Sequence, residues 1–149
     1  MRGKRTIELG CGVGLATVLA LAGGATVLAT DHYEAALDFT AYNARTNVDL
    51  EPETSLLDWR TPYPEGIGTF DMVFAADVLY ERKNTAALAD LVPKLLAQGG
   101  EAIIADPHRD EASTFLEAME RHGFADTVED ATVEQDNGSV KVLLHQMWR

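Results

Sequence analysis

The sequence lacks what several classes of protein require. Cys11 is the only cysteine among 149 residues, so no internal disulfide can form, and a reducing, cytoplasmic setting is the simplest expectation. No apolar run is long enough to span a bilayer, which argues against a membrane partner. The basic start, MRGKRTIELG, runs at once into a strand pattern with no small-residue cleavage site, and so reads as no signal peptide. Cationic residues are scarce: 12 Lys and Arg stand against 24 Asp and Glu, a formal net charge of −12. Non-specific binding of nucleic acid needs Lys and Arg to neutralise phosphates, so nucleic acid is not an expected partner. The surplus acids read as a solvated surface that is compatible with a basic partner. No repeat, low-complexity tract or Pro/Ser-rich linker divides the chain, and its length suits one domain over residues 1–149.

What is present is alternation. The hydrophobic content of 46% is enough for a core at this length. Short apolar runs over residues 5–10, 25–30, 55–57, 70–76 and 101–105 read as strands. Longer amphipathic stretches over 14–22, 33–46, 84–97 and 111–122 read as helices, with Gly23-Gly24, Gly99-Gly100 and Gly123 as stop signals. Strands alternating with helices indicate βαβ units, and apolar strands fit a parallel sheet covered on both faces. The ending differs. Residues 131–135 and 140–148 flank Asp136-Asn137-Gly138-Ser139, a hairpin signal, so the sheet is expected to close with an antiparallel pair.

Two features point to a ligand. The stretch ELGCGVG places Gly10, Gly12 and Gly14 at alternate positions between two apolar runs, where backbone can approach a ligand closely. Second, four strand patterns terminate in an acid: Asp31, Asp58, Asp77 and Asp106. In a parallel sheet these ends share one edge, the edge at which open α/β sheets bind ligands. One such Asp is ordinary in a turn or helix cap; four look like a lined pocket. The loop is not a dinucleotide fingerprint, because Leu15 stands where the third glycine should be, and no Lys-Ser or Lys-Thr completes a phosphate loop. Asp31 lies 21 positions after Gly10, the right distance for an acid that takes two ribose hydroxyls. The ligand should therefore carry a ribose but need not carry a pyrophosphate.

Glu-x-Gly-x-Gly-x-Gly followed by a strand-ending acid resembles the class I S-adenosylmethionine-dependent methyltransferases, and the resemblance runs from Lys4 to the C-terminus. It implies a Rossmann-like α/β fold: a mostly parallel seven-stranded sheet, helices on both faces and an antiparallel C-terminal hairpin. It also implies S-adenosyl-L-methionine as cofactor and S-adenosyl-L-homocysteine as product. The glycine loop would pass under the methionine part, Asp31 would bind the ribose, Asp58 would lie near the adenine amino group, and Trp59 would cover the ring. The implied cofactor set is Glu8, Gly10, Cys11, Gly12, Gly14, Asp31, His32, Asp58, Trp59 and Ala76. Plainer roles stand beside these. Glu8 could cap backbone amides, Cys11 could simply be small enough for the turn, Trp59 could cover the core, and His32 could be a solvated loop residue.

The stretch Ala76-Asp77-Val78-Leu79-Tyr80 bears on the methyl acceptor. Enzymes that methylate amino groups of DNA carry Asn/Asp-Pro-Pro-Tyr/Phe here, and this chain lacks the prolines. The phrases GCGVGL, LLDW, FDMVFAADVLY and ADPHR resemble the seven-β-strand protein lysine methyltransferases, methyltransferase family 16. The last of them most resembles the branch that methylates the β subunit of electron transfer flavoprotein. The implied catalytic pair is Asp77, which captures and aims the acceptor amine, and Tyr80, which orients it. The implied partner is a protein or peptide carrying the acceptor lysine. The plainer reading makes Asp77 a turn residue and Tyr80 a packed aromatic; Asp106 and Arg109 either line the acceptor side or pair with each other. No metal is expected, because the four histidines show no ligand spacing.

The family normally carries a helix and a Trp-Pro-containing stretch before the first strand, which cover the cofactor. Here the first strand begins about four residues from the start. The expectation is weaker cofactor binding, still weaker substrate binding, and apolar surface hidden by self-association into a homo-oligomer. Two alternatives stay open: a small-molecule N-methyltransferase, and a truncated, non-catalytic relative that binds the cofactor.

Overall fold

A computed structural model of the protein describes residues 1–61, 66–135 and 138–149. Eleven elements follow one another among them: β1 (Arg5–Leu9), α1 (Leu15–Ala22), β2 (Thr26–Asp31), α2 (Glu34–Val48), β3 (Glu53–Leu56), β4 (Phe70–Ala76), α3 (Arg82–Leu95), β5 (Leu96–Asp106), α4 (Ala112–Arg121), β6 (Ala125–Gln135) and β7 (Gly138–Trp148). The seven strands form one sheet in the order β3-β2-β1-β4-β5-β7-β6. Pairing is parallel from β3 through β5, and β7 runs antiparallel to both β5 and β6. The expected α/β architecture and its antiparallel ending are both observed. Residues Asp136 and Asn137 of the predicted hairpin turn lie outside the described residues.

The sheet is covered on both faces, and side-chain alternation shows how. Val73 and Ala75 of β4, with Ile7 and Leu9 of β1, point into a core completed by Leu88 and Val92 of α3 and Phe115 and Met119 of α4. Met72 and Phe74 point the other way, toward Ala20 and Leu21 of α1 and Ala44 of α2. Successive residues of a strand face opposite sides, so an almost continuously apolar strand is one buried twice.

One boundary departs from expectation. The third helix was expected to run to residue 97 and stop at Gly99-Gly100; it ends at Leu95, and those glycines lie inside β5. Pro93 supplies no N–H to continue the helical ladder, and Leu96 is extended and pairs with Phe70. The register then jumps, with Met72 facing Glu101. Gly100 belongs to this crossing, because a Cβ there would sit 3.0 Å from the Phe70 carbonyl oxygen. Gly100 serves a close backbone approach and Gly99 a left-handed φ of 75°, neither of them a helix stop.

The topology fixes where a ligand can sit. The chain runs outward from β1 through β2 to β3, then returns to place β4 on the other side of β1. That reversal opens a crevice beyond the carboxyl ends of β1 and β4.

Candidate functional site

The glycine loop leaves β1 at this crevice. Gly10, Gly12 and Gly14 all take left-handed conformations, with φ of 77°, 54° and 82°. The loop is pinned from below: the N–H groups of Gly10 and Cys11 both donate to the Thr30 carbonyl of β2 at 2.9 Å. It is pinned from behind by α2, where the Thr40 hydroxyl lies within hydrogen-bond reach of the Gly12 carbonyl and the Cys11 sulfur, and Asn43 Nδ2 donates to the Val13 carbonyl at 2.8 Å. Thr40 and Asn43 stand about thirty positions downstream, and no sequence pattern marks them. Cys11 is buried, and burial pushes its thiol up to about 11. That agrees with a residue chosen for size rather than for thiolate chemistry.

Asp31 is the strap of the site. One carboxylate oxygen accepts the Gly12 N–H and the other the Tyr33 N–H, each at 3.0 Å. It therefore locks the glycine loop to the start of α2, and each oxygen retains a further acceptor position for a ligand. Glu8 lies on the α1 side of the sheet, fully buried, and accepts a hydrogen bond from the Thr17 hydroxyl of α1. Thr17 also reaches it through its backbone N–H, so the amide contact considered from sequence stands beside a side-chain one.

Burial raises the Glu8 carboxyl to about 7, against the lowering effect of Thr17, with Asp31 adding repulsion. A carboxyl raised in the folded state binds a proton that the unfolded chain has already released. Stability contributed by this group therefore falls as pH rises from about 4.5 to 7 and is flat above. The full effect is on the order of 3 kcal/mol. Glu8→Gln keeps an acceptor for Thr17, so the variant is expected to unfold at higher denaturant than the parent at pH 8 and to converge with it near pH 5. Equal differences at both pH values in urea titrations would refute this.

A cavity of about 360 Å³ opens beside the loop, lined by His32, Tyr33, Asp58, Trp59, Arg60 and Tyr80 among others. Of the four strand-end acids, only Asp58 lines it. Arg60 holds that carboxylate through its backbone N–H, Nε and Nη2 at 3.0, 2.8 and 2.7 Å, and keeps it ionised far below the usual carboxylate range. Arg60 was not anticipated, although a cation two residues from an acid in a turn is a usable signal. Trp59 is half-buried against the main core and also faces the cavity. Its ring packs on the loop, with Cζ2 3.2 Å from the place a Gly10 side chain would occupy. Its Nε1 is buried with no hydrogen-bond partner among the described residues. His32 is half-exposed, 3.4 Å from Asp31, with its ring tilted against that of Tyr33.

The end of β4 and the turn after it divide their residues between solvent and core. Ala76, Asp77 and Tyr80 are exposed, while Val78 and Leu79 are buried anchors. Asp77 has a left-handed φ of 55°, and its N–H donates to the Ala105 carbonyl of β5 at 2.8 Å. Asp106 is buried and does not pair with the Arg109 side chain; it accepts the Arg109 backbone N–H, and the guanidinium reaches Asp77 instead.

The set fits an adenosyl ligand by its own chemistry. Left-handed glycines free the backbone face, with nothing within 4 Å of a Gly12 side-chain position. Asp31 has acceptor capacity to spare, and an aromatic wall stands at Trp59. Sequence and structure comparisons agree. Residues 1–122 match the family described as lysine methyltransferase. Protein N-lysine methyltransferase METTL21A of Danio rerio is 32% identical over 111 residues, covering 70% of this chain and 49% of the relative. The chain thus spans about half the length of that curated relative. Among solved structures, precorrin-6y C5,15-methyltransferase from Geobacter metallireducens GS-15 superposes with a TM-score of 0.78 at 16% identity, covering 100% of this chain and 81% of that one. Magnesium protoporphyrin IX methyltransferase from Synechocystis PCC 6803, with bound SAM, gives 0.75 at 18% identity, covering 97% and 70%. These likenesses show the class I methyltransferase fold, and the sequence match shows the family: this chain belongs to the lysine methyltransferases.

Proposed function

We propose that this chain is the methyl-transfer domain of an S-adenosylmethionine-dependent enzyme that methylates a lysine side chain of a protein. The observation that carries the proposal is the Asp31 strap, which ties an acid of ribose-binding position to the glycine loop at the sheet's switch point. The cofactor supplies a methyl carbon on a sulfonium, so the acceptor nitrogen forms the new N–C bond as the S–C bond breaks with its electron pair going to sulfur. The cofactor set inferred from sequence is retained: Glu8, Gly10, Cys11, Gly12, Gly14, Asp31, His32, Asp58, Trp59 and Ala76. Glu8 and Cys11 act through the shape of the loop. Asp77 receives the acceptor amine and Tyr80 orients it, with Val78 and Leu79 fixing the turn that presents both. The chain's work is alignment, which is worth up to ~7–11 kcal/mol in favourable cases. The partner is a protein bearing the lysine, met in a reducing, cytoplasmic setting that suits the single buried thiol.

Incubation with methyl-labelled cofactor and a cell lysate tests the reading. Label is expected on lysine in protein. In Asp77→Asn it should fall by at least about a hundredfold, with S-adenosylhomocysteine affinity within about twofold of the parent. Label confined to small molecules would replace the acceptor class, and cofactor binding without any transfer would leave a binding protein. Unimpaired transfer by Asp77→Asn would remove the role given to Asp77.

A further inference from the structure

The carboxylate proposed to receive the acceptor is already engaged. Arg109 Nε and Nη2 donate to the two Asp77 oxygens at 2.7 and 2.8 Å, a bidentate pair. Both ends are aimed by backbone. Arg109 N–H lies 3.2 and 3.1 Å from the two oxygens of Asp106, which is 1% exposed. His108, just before Arg109, takes a left-handed φ of 61°, as Asp77 does at 55°. Non-glycine residues rarely adopt this region. The turns after β4 and β5 are thus both bent to bring one cation onto one carboxylate. Stability does not account for the pair, because its side chains are 43% and 50% exposed and ion pairs so placed contribute little.

Chemistry supplies a reason. Transfer to nitrogen needs a free lone pair, and a lysine amine, with an ordinary pKa near ~10.4, is mostly ammonium at neutral pH. A lone carboxylate beside it would hold it in that unreactive form. Resting on the lysine reading above, we propose that Arg109 is a positioning and specificity-determining residue that holds Asp77 as a neutral ion pair, so that the site accepts an uncharged primary amine in preference to an ammonium. Each Asp77 oxygen spends one acceptor position on Arg109 and keeps another for an amine N–H. The guanidinium stays protonated at any working pH, and its carboxylate partner strengthens that. No proton moves within the pair. The acceptor ammonium gives its proton to solvent before it binds, and the methylated ammonium does so after transfer.

Two primary amines of similar size separate the forms at pH 7.5: propylamine, an ammonium there, and 2,2,2-trifluoroethylamine, which is neutral. Their affinities are measured on the isotope-labelled chain, alone and saturated with S-adenosylhomocysteine, by the amide shifts of Val78, Leu79 and Tyr80. The parent is expected to prefer the neutral amine. Arg109→Met should shift the ratio toward the ammonium by about tenfold or more, the scale of one uncompensated neighbouring charge. Arg109→Lys should restore part of the parent's preference. A merely structural Arg109 would weaken both amines equally, so an unchanged ratio overturns the proposal, as does failure of both proteins to bind either amine. This readout needs no turnover. A ratio shift without lysate labelling would sink the lysine reading alone, and labelling without a ratio shift would sink the role of Arg109 alone.

Discussion

Asp31→Ala is expected to reduce S-adenosylhomocysteine affinity by on the order of a hundredfold or more, to below detection by calorimetry. Two losses combine. The ribose hydroxyls lose a charged acceptor, and hydrogen bonds to charged groups contribute ~1.5–3 kcal/mol each. The loop also loses its strap, because Gly12 and Tyr33 both donate to this carboxylate at 3.0 Å. Without it the Gly12 N–H is unpaired and the loop is no longer held against the start of α2. Asp31→Asn should fall between variant and parent, since its single amide oxygen can serve one of the two donors and its NH₂ opposes the other. NAD should bind none of the three, because Leu15 stands where the dinucleotide fingerprint has the third glycine that lets helix and strand pack closely. Parent-like affinity in a folded Asp31→Ala protein would remove Asp31 from the cofactor site.

Gly14→Ala is expected to destabilise the fold. The new Cβ would stand 2.7 Å from the Thr40 Oγ1 and Cγ2 and 2.8 Å from the Thr40 Cα. A side-chain tip can turn away, but the α-carbon of Thr40, on the buried face of α2, cannot move without taking the helix with it. Gly14 also has φ of 82° at the N-cap of α1. Overpacking costs ~1–3 kcal/mol, and a left-handed alanine adds roughly 1–2. The sum, on the order of 3 kcal/mol, corresponds to a Tm lower by about 6–12 °C at this chain length. Gly12→Ala is the informative contrast. Gly12 also has a positive φ, but a Cβ there meets nothing within 4 Å. It should lose only about 1 kcal/mol of stability yet bind S-adenosylhomocysteine poorly, because the added methyl projects into the space left above the loop. Equal stability losses in the two variants, read by thermal unfolding, would refute the packing argument.

The sequence by itself determined the architecture. Apolar strands alternating with amphipathic stretches made the parallel sheet legible, and β4 was readable to the residue, because hydrophobic periodicity is a local record of which faces are buried. The helix–strand boundary before β5 was not. A glycine pair reads locally as a stop, and only the crossing of β4 reveals that Gly100 is there for backbone proximity. The positions of Asp31, Asp58, Asp77 and Asp106 at strand ends were legible for the same local reason. Their circumstances were not: Asp31 became a strap, Asp58 the partner of Arg60, Asp106 a buried acceptor for a backbone N–H, and Asp77 half of an ion pair with a residue 32 positions away. Such pairings depend on which strands lie side by side and on how the following turns bend, and these are properties of the folded chain. Residue type and local spacing set the chemistry available at the sheet edge, and tertiary structure decided which charges meet there.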